Sequence, residues 1–203
     1  WNTGQTGSSI NVSPTTNTSY SVVVNVNGCL DTATFAVNVN NLPTPIINGD
    51  TVLCVGESTT LTASGGTSFE WNNGSTSNTI NISPSIDSTY SVEVTDVNSC
   101  KNTANVNVVV NALPNPFITG SSLICDGSST TLTANGGVSY VWNNGSLANS
   151  INVSPSADST YLVTATDANG CSDTVSTLVQ VISNPTAVVT SSNGTNFVCN
   201  GSS

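Results

Sequence analysis

The sequence has no histidine, no arginine and no methionine, and Lys101 is its only basic side chain against 11 acidic ones, for a formal charge of −10 over 203 residues. Without a basic surface nothing releases counterions from a nucleic-acid backbone, and nothing docks on anionic lipid headgroups. Without histidine there is no Ser-His-Asp or Cys-His nucleophile system and no imidazole metal ligand. No apolar run approaches the roughly 20 residues of a membrane-spanning helix. The six cysteines include no C-x-x-C pair, which argues against a zinc site. The opening Trp1-Asn2-Thr3-Gly4 has no signal-peptide character, so an export signal is expected outside this chain.

What is present is Ser, Thr and Asn, together just under half of the chain, threaded with short alternating runs of Val, Ile, Leu and Ala. Hydrophobic residues make up 36%, too many and too regularly placed for an acidic disordered tail.

The strongest signal is self-similarity at a fixed period. Trp1, Trp71 and Trp142 each open a matching phrase, Trp-Asn-x-Gly, and Tyr20, Tyr90 and Tyr161 recur at the same spacing. Cys29, Cys100 and Cys171 are evenly spaced, and Cys54 and Cys125 are separated by the same interval. Leu42-Pro43-Thr44-Pro45 returns as Leu113-Pro114-Asn115-Pro116, and Ser-Thr-Thr-Leu-Thr-Ala is kept whole, ending at Ala63 and Ala134. Proline cannot donate to a sheet ladder and favours extended backbone, so each Pro-rich phrase reads as a linker. Cutting there gives complete units at 42–112 and 113–183. Residues 1–41 match the second half of a unit, and 184–203 match the start of another. The chain is expected to be an excerpt of a longer array.

Within a unit the hydrophobic period is two. Tyr90, Val92 and Val94 alternate with Ser91, Glu93 and Thr95, and Ala104, Val106, Val108 and Val110 follow the same rule. Gly65-Gly66, Asn73-Gly74 and Asn98-Ser99 supply turns. Six or seven short strands in about 70 residues predict an all-β fold, a tandem array of small antiparallel immunoglobulin-like β-sandwiches. Trp71 falls where a central-strand tryptophan fills such a core, and Asp87-Ser88-Thr89-Tyr90 where a corner precedes the penultimate strand.

Two cysteine schemes fit the spacing. Cys54–Cys100 and Cys125–Cys171 would each close a loop inside one unit; Cys29–Cys54 and Cys100–Cys125 would cross the Pro-rich linkers. The second requires strands to fold back on each other between units joined end to end, so the intra-unit scheme is expected. It leaves Cys29 and Cys199 with partners beyond the ends of the chain. Closing about 46 residues removes roughly 4 kcal/mol of unfolded-chain entropy on the loop model, and such bridges persist outside reducing compartments.

The remaining chemistry is carboxylate chemistry. Glu57, Glu70 and Glu93 share one unit, but Ser128, Val141 and Thr164 stand in their places in the next, so a paired-carboxylate catalyst is not expected. Asp96-Val97-Asn98 and Asp167-Ala168-Asn169 are turns of a kind that can offer oxygen ligands to calcium, although two side chains make no cage and an Asx turn is the simpler expectation. No other cofactor is implied. Asp followed by Ser or Thr recurs at Asp31-Thr32, Asp50-Thr51, Asp87-Ser88, Asp158-Ser159 and Asp173-Thr174.

The whole phrase, Pro-x-Pro-x-Ile, Cys-x-Gly-x-Ser-x-x-Leu-x-Ala, Trp-Asn-x-Gly, Ser-Pro, Thr-Tyr-x-Val and Gly-Cys or Ser-Cys, resembles the Ig-like and PKD-like repeats of very large cell-surface proteins of Bacteroidota. Those proteins are exported by type IX secretion, and gliding-motility adhesins are among them. The resemblance implies an extracellular, outer-membrane-attached protein that meets extracellular surfaces or polysaccharides, with the export and motility machinery and neighbouring repeats as partners. It also implies O-glycosylation at Thr32, Thr51, Ser88, Ser159 and Thr174; Asn102 in place of the acidic residue removes Thr103 from that set. The expected function is a non-enzymatic filament for surface attachment and gliding. Spacer repeats of a secreted enzyme or carbohydrate-binding protein are the alternative, and a calcium-dependent adhesin module is a third reading.

Overall fold

The structure, a computed structural model, describes residues 1–188, so most of the expected partial repeat at 184–203, including Cys199, lies outside the described residues. Every regular element among the described residues is a β-strand. The chain divides into two compact units that part between Val110 and Asn111.

The first unit begins with a hairpin, β1 (Thr18–Val26) and β2 (Cys29–Val37), whose register pairs Val26 with Cys29 across a two-residue loop. Asn27 and Gly28 both have positive φ, 50° and 88°. That arrangement matches the twist of the flanking strands. Seven strands follow: β3 (Ile46–Asn48), β4 (Val52–Cys54), β5 (Thr59–Ser64), β6 (Ser68–Trp71), β7 (Thr79–Ile82), β8 (Ser88–Thr95) and β9 (Lys101–Asn111). They form a three-stranded sheet β3-β5-β7 and a four-stranded sheet β4-β9-β8-β6. The second unit repeats this with β10 (Phe117–Thr119), β11 (Leu123–Cys125), β12 (Thr130–Asn135), β13 (Ser139–Trp142), β14 (Ser150–Val153), β15 (Ser159–Thr166) and β16 (Ser172–Ile182), in sheets β10-β12-β14 and β11-β16-β15-β13. This is the immunoglobulin-like sandwich expected from the sequence, with one departure. The leading strand switches sheets, and its second half runs parallel to the last strand, Leu123 opposite Gln180 and Cys125 opposite Ile182.

The switch occurs at a glycine. Gly120 has φ 139°, and a Cβ there would stand 2.4 Å from the Thr131 carbonyl oxygen. Gly49 repeats this at φ 147°, 2.6 Å from the Thr60 oxygen. No side chain fits where the backbone crosses so close to its neighbour.

The period-two pattern decides the cores. Leu53, Leu61, Ala63, Trp71, Ile80, Ile82, Val92, Val94 and Val108 are buried together in one sandwich. Ile124, Leu132, Ala134, Trp142, Ile151, Val153, Val163 and Val179 do the same in the next. In each strand the residues between them face outward. Residues 1–41 supply β1 and β2 but no opposing sheet, and the positions that are buried elsewhere are open there: Val24 is 52% exposed where Val94 is 0%.

Candidate functional site

The recurring sequence phrases resolve into packing and turn closure. Trp71 and Trp142 are 2% and 1% exposed, and their Nε1 groups donate to the carbonyl oxygens of Ser77 and Ala148, each at 2.9 Å. Trp1 Nε1 donates to Gly7 O at 3.0 Å in the same way. A buried indole satisfied by its own following loop leaves no ring face for a ligand. The asparagine after each tryptophan has a role that the sequence pattern concealed. Asn72 Nδ2 donates to Thr89 O at 3.1 Å and its backbone N–H to Ser91 O at 2.9 Å, continuing the β6–β8 ladder past the end of β6. Asn2 and Asn143 do the same with Ser19 and Ser21, and with Thr160 and Leu162.

The corner before β8 is tied by a carboxylate. Asp87 Oδ1 accepts from the Val110 N–H at 2.8 Å, and Asp158 Oδ1 from that of Val181 at 2.8 Å, which pins the last strand to the β7–β8 connection and its equivalent. The separation of 23 residues is the only signal the sequence holds of this tie. Spacing alone does not show which strands become neighbours.

Asp96 and Asp167, the candidate calcium residues, organise the turn before the last strand. Asp96 Oδ1 accepts from Asn98 N at 2.8 Å and Cys100 N at 2.9 Å; Asp167 Oδ1 accepts from Asn169 N and Cys171 N at the same distances. Both are Asx turns in which one carboxylate oxygen is committed to the backbone. The described residues contain no group of three or more metal-ligating side chains.

The glutamates are dispersed. Glu57 Oε2 accepts from Cys54 N at 2.7 Å and closes the β4–β5 turn. Glu70 and Glu93 stand directly opposite each other on β6 and β8, where Lys101 pairs with Glu93. The hydrogen bond and charge of Glu93 hold the Lys101 ammonium above the usual lysine range. The Lys101 and Glu93 side chains are 57% and 39% exposed. This is a solvated strand face without the enclosure that acid–base catalysis needs. An open hollow of about 370 Å³ lies among Trp1, Ile10, Val12, Tyr20, Phe35 and Val37; these are core-type side chains left without an opposing sheet.

The Asp-Ser/Thr sites fall into two groups. Thr32 and Thr174 are exposed mid-strand residues in equivalent positions, each with its N–H bonded to the preceding aspartate Oδ1, at 2.8 Å and 2.7 Å. Ser88 and Ser159 are half-buried, and their hydroxyls donate to the carbonyls of Ile86 and Ala157 at 2.8 Å. Thr51 is half-buried, and its carbonyl receives the Val109 N–H at 2.8 Å.

The cysteines require a correction. Cys100 and Cys125 are thiols, as is Cys29, while Cys54 and Cys171 are disulfide-bonded. The expected bridges Cys54–Cys100 and Cys125–Cys171 are not formed, and the register explains why. Cys125 lies opposite Ile182, at the end of β16, whereas Cys171 immediately precedes its start at Ser172. The whole length of that strand separates the two levels, roughly 35 Å at the usual rise per residue. A disulfide needs its Cα atoms within about 7 Å. Cys54 and Cys100 are placed alike at the two ends of β9. The Trp-Asn and Asp phrases thus act within each repeat as architecture, while the two Cys phrases stay apart.

No protein-family model and no curated protein matches this chain. Solved structures do resemble it. One is a Ca2+-stabilized adhesin that helps an Antarctic bacterium reach out and bind ice, with 17% identity, 84% of this chain and 58% of that one covered, and a TM-score of 0.46. A second is from a 1.5-MDa bacterial ice-binding adhesin, with 16% identity, 82% and 74% covered, and a TM-score of 0.39. A third is murine CEACAM1b, with 13% identity, 68% and 100% covered, and a TM-score of 0.35. Similarity at these identities concerns the fold and says nothing of what the present chain binds.

Proposed function

We propose that this chain is a repeat segment of a long, non-enzymatic, extracellular adhesin whose repeats supply reach while attachment resides in many weak contacts along it. One observation supports this reading above the others: the Trp-Asn and Asp phrases that recur in each repeat are consumed by core packing, strand clamping or turn closure within their own sandwich. Among the described residues no group of three or more metal-ligating side chains is found. The chain is instead acidic and rich in Ser, Thr and Asn, which keeps neighbouring filaments soluble and apart. Weak polar contacts multiplied over a repeat array reach useful strength by avidity.

In this reading the protein is displayed on a Bacteroidota-type outer membrane after type IX export, meets surfaces or polysaccharides, and serves attachment and gliding. The repeats begin at the Pro-rich phrases, and O-linked glycans sit first on Thr32 and Thr174, which are exposed mid-strand residues, although the Thr174 hydroxyl shares a hydrogen bond with Thr164 Oγ1 at 3.0 Å. Electron microscopy of the complete protein tests the proposal. It should show a thin fibre lengthening by about 35–40 Å per repeat, from strands of roughly 3.4 Å per residue; a compact particle whose length does not grow with repeat number overturns it.

A further inference from the structure

The length of its open edges decides where a β-sandwich is at risk of adding a foreign strand. Within each sandwich most edge strands are short. β3, β4, β6 and β7 run for 3, 3, 4 and 4 residues, and their equivalents in the second repeat have the same lengths. The last strand is the exception at 11 residues. β16 pairs with β15 along one side from Ser172 to Val179, but β11 covers its other side only from Gln180 to Ile182. Among the described residues no strand pairs with that side over 172–178. β9 lies in the same position, between β4 and β8.

Successive N–H groups along a strand point to opposite sides. Gln180 N donates to Ser122 O at 2.8 Å on the β11 side, and Val181 N donates to Asp158 Oδ1 at 2.8 Å on the other. Counting back by twos from Gln180, the amides of Leu178, Ser176 and Thr174 face the open side. The same count from Val109, whose N–H meets Thr51 O at 2.8 Å, puts the Thr103 N–H on the open side of β9. Both threonine amides are already taken. Thr174 N donates to Asp173 Oδ1 at 2.7 Å, and Thr103 N to Asn102 Oδ1 at 2.9 Å. In β2 the bond recurs from Thr32 N to Asp31 Oδ1 at 2.8 Å, and Thr32 follows Cys29 as Thr103 follows Cys100 and Thr174 follows Cys171. All six residues are exposed, so core packing does not require the arrangement. Asn102 takes the same part although it lacks the acid of the O-glycosylation pattern. The three repeats therefore share the oxygen acceptor, whatever a glycan adds.

We propose that Asp31, Asn102 and Asp173 guard the open edge of the last strand against strand addition by a second copy of this chain. Each places a side-chain oxygen where the carbonyl of an incoming strand would accept. An added strand must break that bond and strip water from the carboxylate or amide left behind. A second copy is the occupant to be excluded, because every repeat presents the same edge and two identical edges close on each other about a two-fold axis. Two-fold pairing centred on this stretch of β16 would also set two Asp173 carboxylates on one seam, where like charges repel. The inference rests on strand register within one sandwich and is independent of the adhesion reading.

The test is amide hydrogen exchange of the whole chain, followed by NMR at rising protein concentration. In wild type the Thr174, Ser176 and Leu178 amides should exchange at rates independent of concentration. D173A should gain concentration-dependent protection at these amides, at least about tenfold, the worth of one backbone hydrogen bond. The Val175 and Thr177 amides, which face β15, report that the strand is still formed. D173V makes the same deletion with a residue of high strand propensity, should the alanine variant lose its fold. D173N keeps the oxygen and should behave as wild type. D173A/T174P removes the outward N–H itself and should lose the added protection at Ser176 and Leu178. Concentration-dependent protection in wild type or D173N, its absence from both D173A and D173V, or its survival in D173A/T174P overturns the proposal.

Discussion

Replacing Asp167 by alanine removes the acceptor for two backbone donors, Asn169 N and Cys171 N, at 2.8 Å and 2.9 Å. Hydrogen bonds to a charged group contribute about 1.5–3 kcal/mol each when shielded and less when water can substitute. The Asn169 bond is exposed and the Cys171 bond partly buried. Together they should contribute about 2–3 kcal/mol. In a sandwich of about 70 residues each kcal/mol moves the midpoint by roughly 4–8 °C, and D167A should lower the melting temperature of its repeat by about ten degrees or more. D167N keeps an oxygen acceptor and loses the charge, so about half the loss is expected. The assay is thermal unfolding followed by hydrogen exchange, in which the Asn169 and Cys171 amides should lose protection first. Because the carboxylate acts here on the backbone, chelation should leave the wild-type midpoint unchanged. If chelator lowers the midpoint of wild type and D167N loses that sensitivity, Asp167 is a cation ligand and the turn argument fails.

Three further outcomes follow from the same geometry. Ser99 has φ 65° where its equivalent, Gly170, has φ 87°. In chemical denaturation S99G should stabilise its repeat by about 0.5–1 kcal/mol, and G170S should destabilise by a similar amount. G120A must place a Cβ against the Thr131 carbonyl at φ 139°, whereas Gly127, at φ 78°, has open space around that position. The same denaturation curves should show a loss of about 2 kcal/mol or more for G120A and a smaller one for G127A. The Lys101–Glu93 pair adds stability below the ordinary lysine value of 10.5 and loses it as pH rises through the raised lysine pKa. K101Q should abolish that alkaline slope in a pH series of melting curves, with little change in the neutral-pH midpoint because the pair is solvated.

The sequence by itself determined that this is a tandem array of thin β-sandwiches: the recurring Trp, Tyr, Cys and Pro phrases mark the repeat, and the period-two hydrophobic residues mark its strands. Alternation fixes which face of a strand is buried without reference to any partner. Leu61, Val92, Val108 and their equivalents at Leu132, Val163 and Val179 are therefore core residues on spacing alone, and all six are buried. The Asn98-Ser99 turn and the buried tryptophans were legible for the same local reason. What only the tertiary structure decided is which distant residues share a level along the sandwich axis. The sheet switch at Gly49 and Gly120 makes the second half of the leading strand run beside the last one, and this carries Cys54 and Cys125 to the pole opposite Cys100 and Cys171. Sequence spacing measures distance along the chain, and a cross-link or a carboxylate tie such as Asp87 to Val110 depends on strand register, which is set by how two sheets close over a core.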